Sequence, residues 1–408
     1  MTSTKLTYFS VGLLVYLSAS ASEPNLPKLQ NATNGTVQVF AALLNEKDLA
    51  DENLEFISEC YDLVLLAYPF KEVVTKLRSA NPKLIILLFN NPYFAFGERF
   101  WQGSANKSLE EIAGDWLLRD ESGALIYYGG PIYEGLEVEQ RVPLMDIRNT
   151  DWQKYYAAQS RKYVDAAEMD GLFVDTLDES FPLFALGPGN TFPKDYTEAG
   201  WRDSTYQLLQ EIENAFAGTD AKILFNGISR PPESQEDKHN WGLLQRCDGT
   251  GLEAFSIYLP MDKNNLTKRW FFFETILKDA YCAAENKKLV IIEIYADNDT
   301  QATHLYALCT FLLIQNEWTY FYYTSMKEAG GTRWRPEWSL DMGCPKGTYT
   351  RRDEVYYRQF EKGTVWVNPH SHKKVVALRG TYIDLSGKQV QELSLNSFSG
   401  TILFASGQ

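Results

Sequence analysis

Short apolar runs alternate along this chain with longer segments whose apolar residues recur at helical spacing. The runs are almost continuously apolar, which is typical of strands buried on both faces of a parallel sheet. Eight of them predict strands, at residues 37–44, 63–68, 84–89, 172–175, 223–226, 252–257, 289–295 and 319–323. Eight such strands separated by helices predict an α/β fold, a (β/α)8 TIM barrel over residues 36–350.

Helical segments lie between these runs. The stretch from Leu305 to Ile314 is apolar throughout, but a membrane span requires roughly 20 residues, so we expect a helix buried against the barrel. The sequence Thr150-Asp151-Trp152-Gln153 is typical of a capping box and predicts the start of another helix. A further helix is indicated by five apolar residues that share one face: Trp201, Leu208, Leu209, Ile212 and Phe216.

Two segments depart from the simple barrel repeat. The connection between residues 89 and 172 is too long for one loop and one helix, and it contains a strand-like stretch at 141–147. We expect it to be an excursion at the barrel mouth. Residues 330–338 are rich in Gly, Pro and Trp, and they predict a loop at the same mouth.

Beyond about residue 357 the pattern changes to short strands separated by turns. These strands are expected at residues 364–367, 375–378, 381–384, 390–393 and 401–404. The chain therefore predicts a small antiparallel β-sandwich over residues 351–408, after the barrel.

The N-terminus has the features of a cleavable secretory signal. A short stretch with Lys5 precedes an apolar run and then small residues from Ser18 to Ala21. We expect a signal peptide at 1–22, an exposed leader at 23–35, and no membrane anchor after cleavage; an uncleaved anchor is the alternative. The protein would then be secreted (extracellular) or delivered to a lysosomal or vacuolar lumen. Five N-x-S/T sites would be N-glycosylated: Asn31, Asn34, Asn106, Asn265 and Asn298.

Charge and residue usage narrow the class of ligand. The chain has 53 acidic and 39 basic residues, a formal charge of −14, which argues against nucleic acid and anionic membranes as partners. It has only four histidines and neither an HExxH nor a G-x-S-x-G motif. Its five cysteines lack metal-like spacing, so we expect no metal, one or two disulfides and a free thiol. We expect a monomer without cofactors that binds a neutral or weakly charged ligand.

Aromatic residues make up 14% of the chain, including ten Trp and 24 Tyr. Aromatic faces stack on sugar rings, although packing in the core is the more common role of such residues. Trp101, Trp334 and Trp338 are our candidates for sugar-stacking platforms.

Acidic residues at strand ends are the leading chemical candidates, because catalytic groups of such barrels lie at the C-terminal ends of strands. Asp175 closes an apolar run on the predicted fourth strand, and a buried carboxylate there is costly unless it is paired, capping or functional. Glu253 lies on or just before the sixth strand, and Glu293 lies within the seventh. Burial among apolar residues would raise the pKa of either glutamate, as a general acid near neutral pH requires.

Two carboxylates that face one pocket are what glycoside hydrolysis commonly requires. One protonates the leaving oxygen, and the other attacks the anomeric carbon or activates water. Asp178 and Asn226 are candidate supporting or substrate contacts, with a turn role as the alternative for Asn226. Structural alternatives also remain for the main candidates, namely helix capping or loop hydrogen bonding by Asp175 and a structural ion pair of Glu253.

Several motifs resemble hypothetical glycosyl hydrolase family 15, a glycoside-hydrolase-like barrel family near the α-galactosidase group. The resemblance covers nearly the whole mature chain. It depends on four stretches: Trp116-Leu117-Leu118-Arg119-Asp120 with Gly123, Met145-Asp146-Ile147-Arg148-Asn149, Asp170-Gly171-Leu172-Phe173-Val174-Asp175, and Tyr357 to Gly363 before Val367-Asn368-Pro369.

The resemblance implies a barrel followed by a C-terminal sandwich. In related families the last Asp of the Asp-Gly-x-Phe-x-Asp element acts as nucleophile, and an acid near strand six gives the proton. Carried over, this implies Asp175 as nucleophile or base and Glu253 as acid, with Glu293 as the alternative acid. A non-catalytic carbohydrate-binding barrel is the rival hypothesis, because a fold alone does not fix a function.

Overall fold

The computed structural model of this chain describes eleven stretches of residues. They are 37–44, 49–67, 69–93, 116–127, 143–181, 192–227, 240–253, 255, 266–296, 300–325 and 334–406. The predicted signal peptide and leader lie outside them, as do Trp101 and all five predicted glycosylation sites.

Eight parallel strands form one sheet, in which the order of neighbours follows the order along the chain. The strands are β1 Phe40–Leu43, β2 Leu63–Leu66, β3 Ile85–Asn90, β4 Gly171–Val174, β5 Lys222–Asn226, β6 Gly249–Glu253, β7 Leu289–Ala296 and β8 Thr319–Ser325. Val39 pairs with Phe321, so the first strand also lies beside the last. The predicted (β/α)8 barrel is confirmed.

Seven α-helices alternate with these strands in the part of the chain that the structure describes. They are α1 Asp51–Cys60, α2 Lys71–Ala80, α3 Thr150–Ala167, α4 Glu198–Phe216, α5 Trp241–Arg246, α6 Leu266–Glu285 and α7 Gln301–Ile314. The apolar face predicted for α4 is buried along its whole length. Helix α3 begins one residue earlier than the predicted capping box, because the side chain of Asn149 accepts the N–H groups of Asp151 and Trp152.

The chain divides into two compact units. The first comprises Met1–Val64, Leu77–Leu84 and Gly251–Gln408, and the second comprises Leu65–Lys76 and Ile85–Thr250. This division into units does not coincide with the domain boundary predicted between residues 350 and 351. That boundary stays a prediction.

A repeated aspartate marks the start of alternate strands. Asp62, Asp170 and Asp248 directly precede β2, β4 and β6. Each carboxylate accepts a backbone N–H near the start of the preceding strand: Val39 at 2.9 Å, Ile86 at 2.7 Å and Ile223 at 2.9 Å. These contacts fix the register of strand pairs at the end of the barrel that is associated with stability.

Asp62 should make stability depend on pH. Burial raises its pKa from 3.8 to about 6, despite the hydrogen bond from Val39. The pKa is higher in the folded than in the unfolded chain, so the stabilisation is full below about pH 4 and is lost as pH rises through 6. Relative to Asp62→Asn, whose side-chain oxygen still accepts from Val39, the wild type should lose about 3 kcal/mol between pH 4 and 7.5.

Urea unfolding of both proteins across that pH range measures this difference. Asp248→Asn is the matched control, because it removes the equivalent carboxylate before β6, which is 43% exposed beside Lys222. Parallel stability curves for the wild type and Asp62→Asn would refute the role of Asp62.

The residues from 350 onward form an antiparallel six-stranded sheet, as predicted. Its strands are β9 Thr350–Arg352, β10 Val355–Gln359, β11 Gly363–Asn368, β12 Lys374–Asp384, β13 Gln389–Leu395 and β14 Ser399–Ala405, in the spatial order β13-β12-β14-β11-β10-β9. The register of β12 shifts between Ala377 and Tyr382. Val376 of β12 shares a buried cluster with Leu403 of the neighbouring β14 and Trp366 of β11.

Helix α7 is buried on nearly all sides, as predicted from its apolar sequence. Strand β14 comes so close that a Cβ atom on Gly400 would lie 2.5 Å from the Cβ of Cys309. The helix therefore packs on the small sheet as well as on the barrel, which accounts for the absence of a polar face. No helix in the described stretches is long and apolar enough to span a membrane.

Arg358, from the Tyr357 to Gly363 motif, caps this helix. Its guanidinium is buried and donates to the carbonyl oxygens of Leu312, Gln315 and Gly347, at 3.3, 2.7 and 2.9 Å. Burial lowers its pKa to about 10, so it stays a cation at neutral pH. The first two acceptors are carbonyls at the helix C-terminus, which would otherwise have no intrahelical donor.

Replacing Arg358 should destabilise the first unit. Arg358→Met keeps most of the apolar stem but removes the donors to three carbonyls, and should lower the free energy of unfolding by about 2–4 kcal/mol. Urea unfolding measures the change. Arg379→Met, at an exposed position of β12, is the control and should change stability by about 0.5 kcal/mol or less. Equal stability of both variants would contradict the capping role.

Candidate active site

The Asp-Gly-x-Phe-x-Asp element builds one strand and the turn after it. The carboxylate of Asp170 accepts the backbone N–H of Ile86, near the start of β3. Gly171 opens β4 so close to β5 that a Cβ atom would lie 2.0 Å from the carbonyl oxygen of Lys222, so no larger residue fits. Asp175 is the first residue after the strand. Its N–H donates to the carbonyl of Asn90, at the end of β3, at 2.9 Å.

Both oxygens of Asp175 accept from amide side chains on neighbouring strand ends. Asn226, the last residue of β5, donates its Nδ2 to Oδ1 at 3.0 Å. Asn91, the first residue after β3, donates its Nδ2 to Oδ2 at 2.9 Å and also to the Thr176 hydroxyl at 3.1 Å. Thr176 has a left-handed backbone, with φ of 58°. Three adjacent strands therefore meet at one oriented carboxylate.

Opposing effects act on the pKa of Asp175. The side chain is 4% exposed, and burial raises its pKa above the ordinary value. The hydrogen bonds from Asn226, Asn91 and Thr176 favour the ionised form and lower it in part. No ion pair among the described residues includes Asp175. The carboxyl is thus oriented by neutral donors, and its net pKa is raised.

Asn91 is a site residue that the sequence analysis missed. Its Oδ1 accepts from the N–H of Tyr93 at 2.9 Å, so one side chain fixes both the turn after β3 and the carboxylate of Asp175. The preceding Asn90 donates to the Ser160 hydroxyl at 3.0 Å, and its carbonyl accepts from Tyr156. The available signal was the pair of asparagines directly after a buried strand.

Asn240 is a second missed residue. It is fully buried and joins two strand ends, since its Nδ2 donates to the carbonyl of Gly227 at 2.5 Å and its Oδ1 accepts from Glu179 N–H at 2.9 Å. Gly227 has a φ of 141°, which favours glycine. Asp178, predicted as a supporting contact, is buried in the same turn and accepts from Ser180 N–H at 2.7 Å.

The two candidate acids belong to the first unit, whereas Asp175, Asp178 and Asn226 belong to the second. Glu253 is the last residue of β6, and its side chain is exposed, so the expected burial in an apolar strand is wrong. The strand starts earlier than predicted, at Gly249, and ends at Glu253. Glu293 lies inside β7, opposite Tyr322 of β8, and is partly buried.

The exposed platform predicted at Trp338 is also wrong. Its side chain is 1% exposed, and its Nε1 donates to Nε2 of the buried His304 at 2.9 Å. Trp334 is partly buried and lies edge-on to both Trp338 and Tyr61. Asn226 donates to Asp175, and the two roles predicted for it, a sugar contact or a turn residue, stay predictions.

No two of the five cysteines lie within disulfide distance of each other, and Cys247 and Cys309 are buried in the core, so the structure does not bear out the expected disulfides. Burial raises the pKa of the Cys60 thiol to about 12. Among the described residues, no cluster of three or more His, Cys, Asp or Glu side chains is arranged to hold a metal ion.

The model of one protein family, described as hypothetical glycosyl hydrolase family 15, matches residues 78–364. No curated protein matches the chain. Solved structures of similar fold include the noncanonic maltogenic α-amylase AmyB of Thermotoga neapolitana, with 11% identity, 90% of this chain and 98% of that chain covered, and a TM-score of 0.50. An Anoxybacillus α-amylase has 10% identity, coverage of 91% and 98%, and a TM-score of 0.47. At such identities only the fold is comparable.

Proposed function

The chain belongs to hypothetical glycosyl hydrolase family 15 and is of glycosidase type, and on that premise we propose that it cleaves O-glycosidic bonds of an extracellular poly- or oligosaccharide by a two-carboxylate mechanism. The observation that carries this proposal is the Asp175 carboxylate, held by Asn91 and Asn226 where three parallel strands end. Catalytic groups of barrels of this architecture lie at that end of the strands.

The surroundings of Asp175 suit a nucleophile or base. Two amide donors fix the plane of the carboxylate, which reduces the entropy lost when it meets the anomeric carbon or a water molecule. Neutral donors stabilise the anion less than a guanidinium or ammonium would, so the oxygens stay reactive. A carboxylate offers about four acceptor sites, so acceptor capacity remains beside the amides from Asn91 and Asn226.

The second carboxylate is proposed to be Glu253, with Glu293 as the alternative. Glu253 ends β6 with an exposed side chain, so it is accessible to solvent and substrate. Glu293 is partly buried within β7, and burial is the usual way to raise the pKa of a general acid. A separation from Asp175 of about 5 Å would favour retention of configuration, and about 6.5–9.5 Å would favour inversion.

The cellular setting belongs to the same proposal. The N-terminal 22 residues and the five N-x-S/T sites support export, N-glycosylation and a carbohydrate substrate met outside the cytoplasm or in a lysosomal or vacuolar lumen. The net charge of −14 is compatible with neutral glycans. We propose a monomer.

A glycan panel tests the function. The purified protein would be incubated between pH 4 and 7 with α- and β-linked oligosaccharides and aryl glycosides, and reducing ends would be measured. Glu253→Gln and Glu293→Gln assayed in parallel identify the acid, because loss of the true acid should slow glycosides with poor leaving groups while it spares those with good ones. If the protein binds glycans but hydrolyses none, the non-catalytic carbohydrate-binding alternative replaces the proposal.

A further inference from the structure

Phe192 has a large apolar side chain that is about half exposed to solvent. Its side chain is 48% exposed, and the other exposed large apolar residues in the described stretches, Val375 and Leu385, lie on the C-terminal sheet or in its turn. Phe192 follows the β4 turn that carries Asp175 and Asp178. Exposed apolar surface that is bordered by polar residues commonly marks a ligand-binding site.

The ring of Phe192 rests on other aromatic rings. It stacks on Tyr196, with centroids 4.9 Å apart and planes at 20°. The buried Phe181 supports both rings, at 6.0 Å from Phe192 and 5.7 Å from Tyr196. One side of this pair is thus anchored in the core, while the Phe192 ring stays open to solvent.

Hydrogen bonds brace the segment that carries this pair. Lys194 N–H donates to the carbonyl of Arg119 at 2.8 Å, and Asp195 N–H donates to Glu121 at 2.9 Å. Arg148 donates to the carbonyl of Lys194 at 2.6 Å, while a bidentate pair with Asp146 fixes its guanidinium.

Two of the family-like motifs therefore converge on this surface. Arg119 and Asp120 belong to the Trp116 to Asp120 motif, and Asp120 pairs with Pro193. Asp146 and Arg148 belong to the Met145 to Asn149 motif. Both motifs hold the segment of residues 193–195. Such bracing preorganises the exposed ring, which lowers the entropic cost of binding.

Ring contacts lead from this surface toward Asp175. Phe181 packs on Trp201 at 4.9 Å, and Trp201 stacks on Tyr93 at 5.8 Å. The N–H of Tyr93 is held by Asn91, the side chain that also binds Asp175. The exposed pair and the carboxylate therefore belong to one packed body within the second unit.

We infer that Phe192 and Tyr196 form a sugar-binding platform, which receives one pyranose ring of an oligosaccharide whose scissile bond lies at Asp175. The apolar C–H face of the sugar would cover Phe192. The charged side chains of Lys194, Asp195 and Glu121 at the border of the platform would form hydrogen bonds with the sugar hydroxyl groups. Polar groups have this role around aromatic binding sites. This inference rests on the proposed function, and it indicates a chain of several sugars as substrate.

Calorimetric titration tests the platform. Asp175→Asn protein, in which bound sugar should stay intact, would be titrated with maltohexaose, cellohexaose and chitohexaose. Adding Phe192→Ala should weaken the tightest of these about five- to tenfold, and Phe192→Trp should restore binding. Adding Leu385→Ala instead, which removes an exposed apolar side chain elsewhere, should leave affinity within twofold. The unfolding midpoint of Phe192→Ala should stay within a few degrees of that of its parent, because about half of the Phe192 side chain is already exposed.

Equal affinity with and without Phe192→Ala would overturn the platform, as would the absence of binding by all three hexasaccharides at millimolar concentration. The proposed function is judged separately, by hydrolysis with the wild type. Hydrolysis without an effect of Phe192→Ala on binding would refute only the platform, whereas binding that depends on Phe192 without hydrolysis would refute only the enzymatic role.

Discussion

Asp175→Asn is expected to lower the turnover of glycosides by about 10^4-fold or more while glycan binding persists. The variant removes the charge that would attack the anomeric carbon or take a proton from water, and loss of such a group typically has effects of this size. Turnover is measured on the best substrate of the panel, and binding is measured by titration with the same glycan.

Stability needs to be followed in the same variant. The new amide would present an N–H group toward Nδ2 of either Asn91 or Asn226, so one donor would lose its acceptor. We expect a decrease of about 1–3 kcal/mol in the free energy of unfolding, which leaves the protein folded at room temperature. Asp170→Asn, at the other end of β4, is the matched control and should keep turnover within a few-fold of the wild type.

Asn91→Asp is expected to shift the pH dependence of the same carboxylate. It replaces an amide donor 2.9 Å from Asp175 with a second carboxyl group. Two carboxyl groups at this distance share a proton, and the pKa for loss of that last proton rises strongly. The acidic limb of the rate profile should move upward by about two pH values, so that activity at a given pH on that limb falls by up to about a hundredfold.

The measurement is the pH dependence of kcat/KM, supported by a 13C titration of labelled aspartate carboxyls, which requires no substrate. Asn226→Asp should act in the same direction, because Asn226 holds the other oxygen. Asn240→Asp is the control, since Asn240 bonds Gly227 and Glu179 instead, and it should leave the acidic limb in place. If the acidic limb of the kcat/KM profile lies at the same pH in Asn91→Asp as in the wild type, the Asn91 amide does not hold the reactive carboxylate.

The barrel was predictable because each strand is buried on both faces and is therefore almost continuously apolar. That pattern also placed Asp175 at the end of a strand. It placed β6 less well, because the strand begins with Gly249, Thr250 and Gly251, which lack the apolar side chains that mark a strand in sequence. Glu253 consequently lies at the exposed strand end instead of within the core.

The partners of Asp175 were harder to predict. An asparagine after a strand is ordinarily a turn residue, and Asn91 does make a turn contact to Tyr93. Its contact with Asp175 depends on how neighbouring strands align, which local sequence does not encode. The exposure of the tryptophans was equally hard to predict, because Trp338 is buried against His304, a partner distant in sequence. The exposed ring in the described stretches belongs to Phe192.

The most direct test of the central claim compares sugar release by the wild type and by Asp175→Asn, purified in the same way and assayed on one glycan panel between pH 4 and 7. The account predicts hydrolysis of at least one oligosaccharide by the wild type and about 10^4-fold less by the variant. Equal rates in the two proteins, or no hydrolysis by the wild type at any pH, would contradict it.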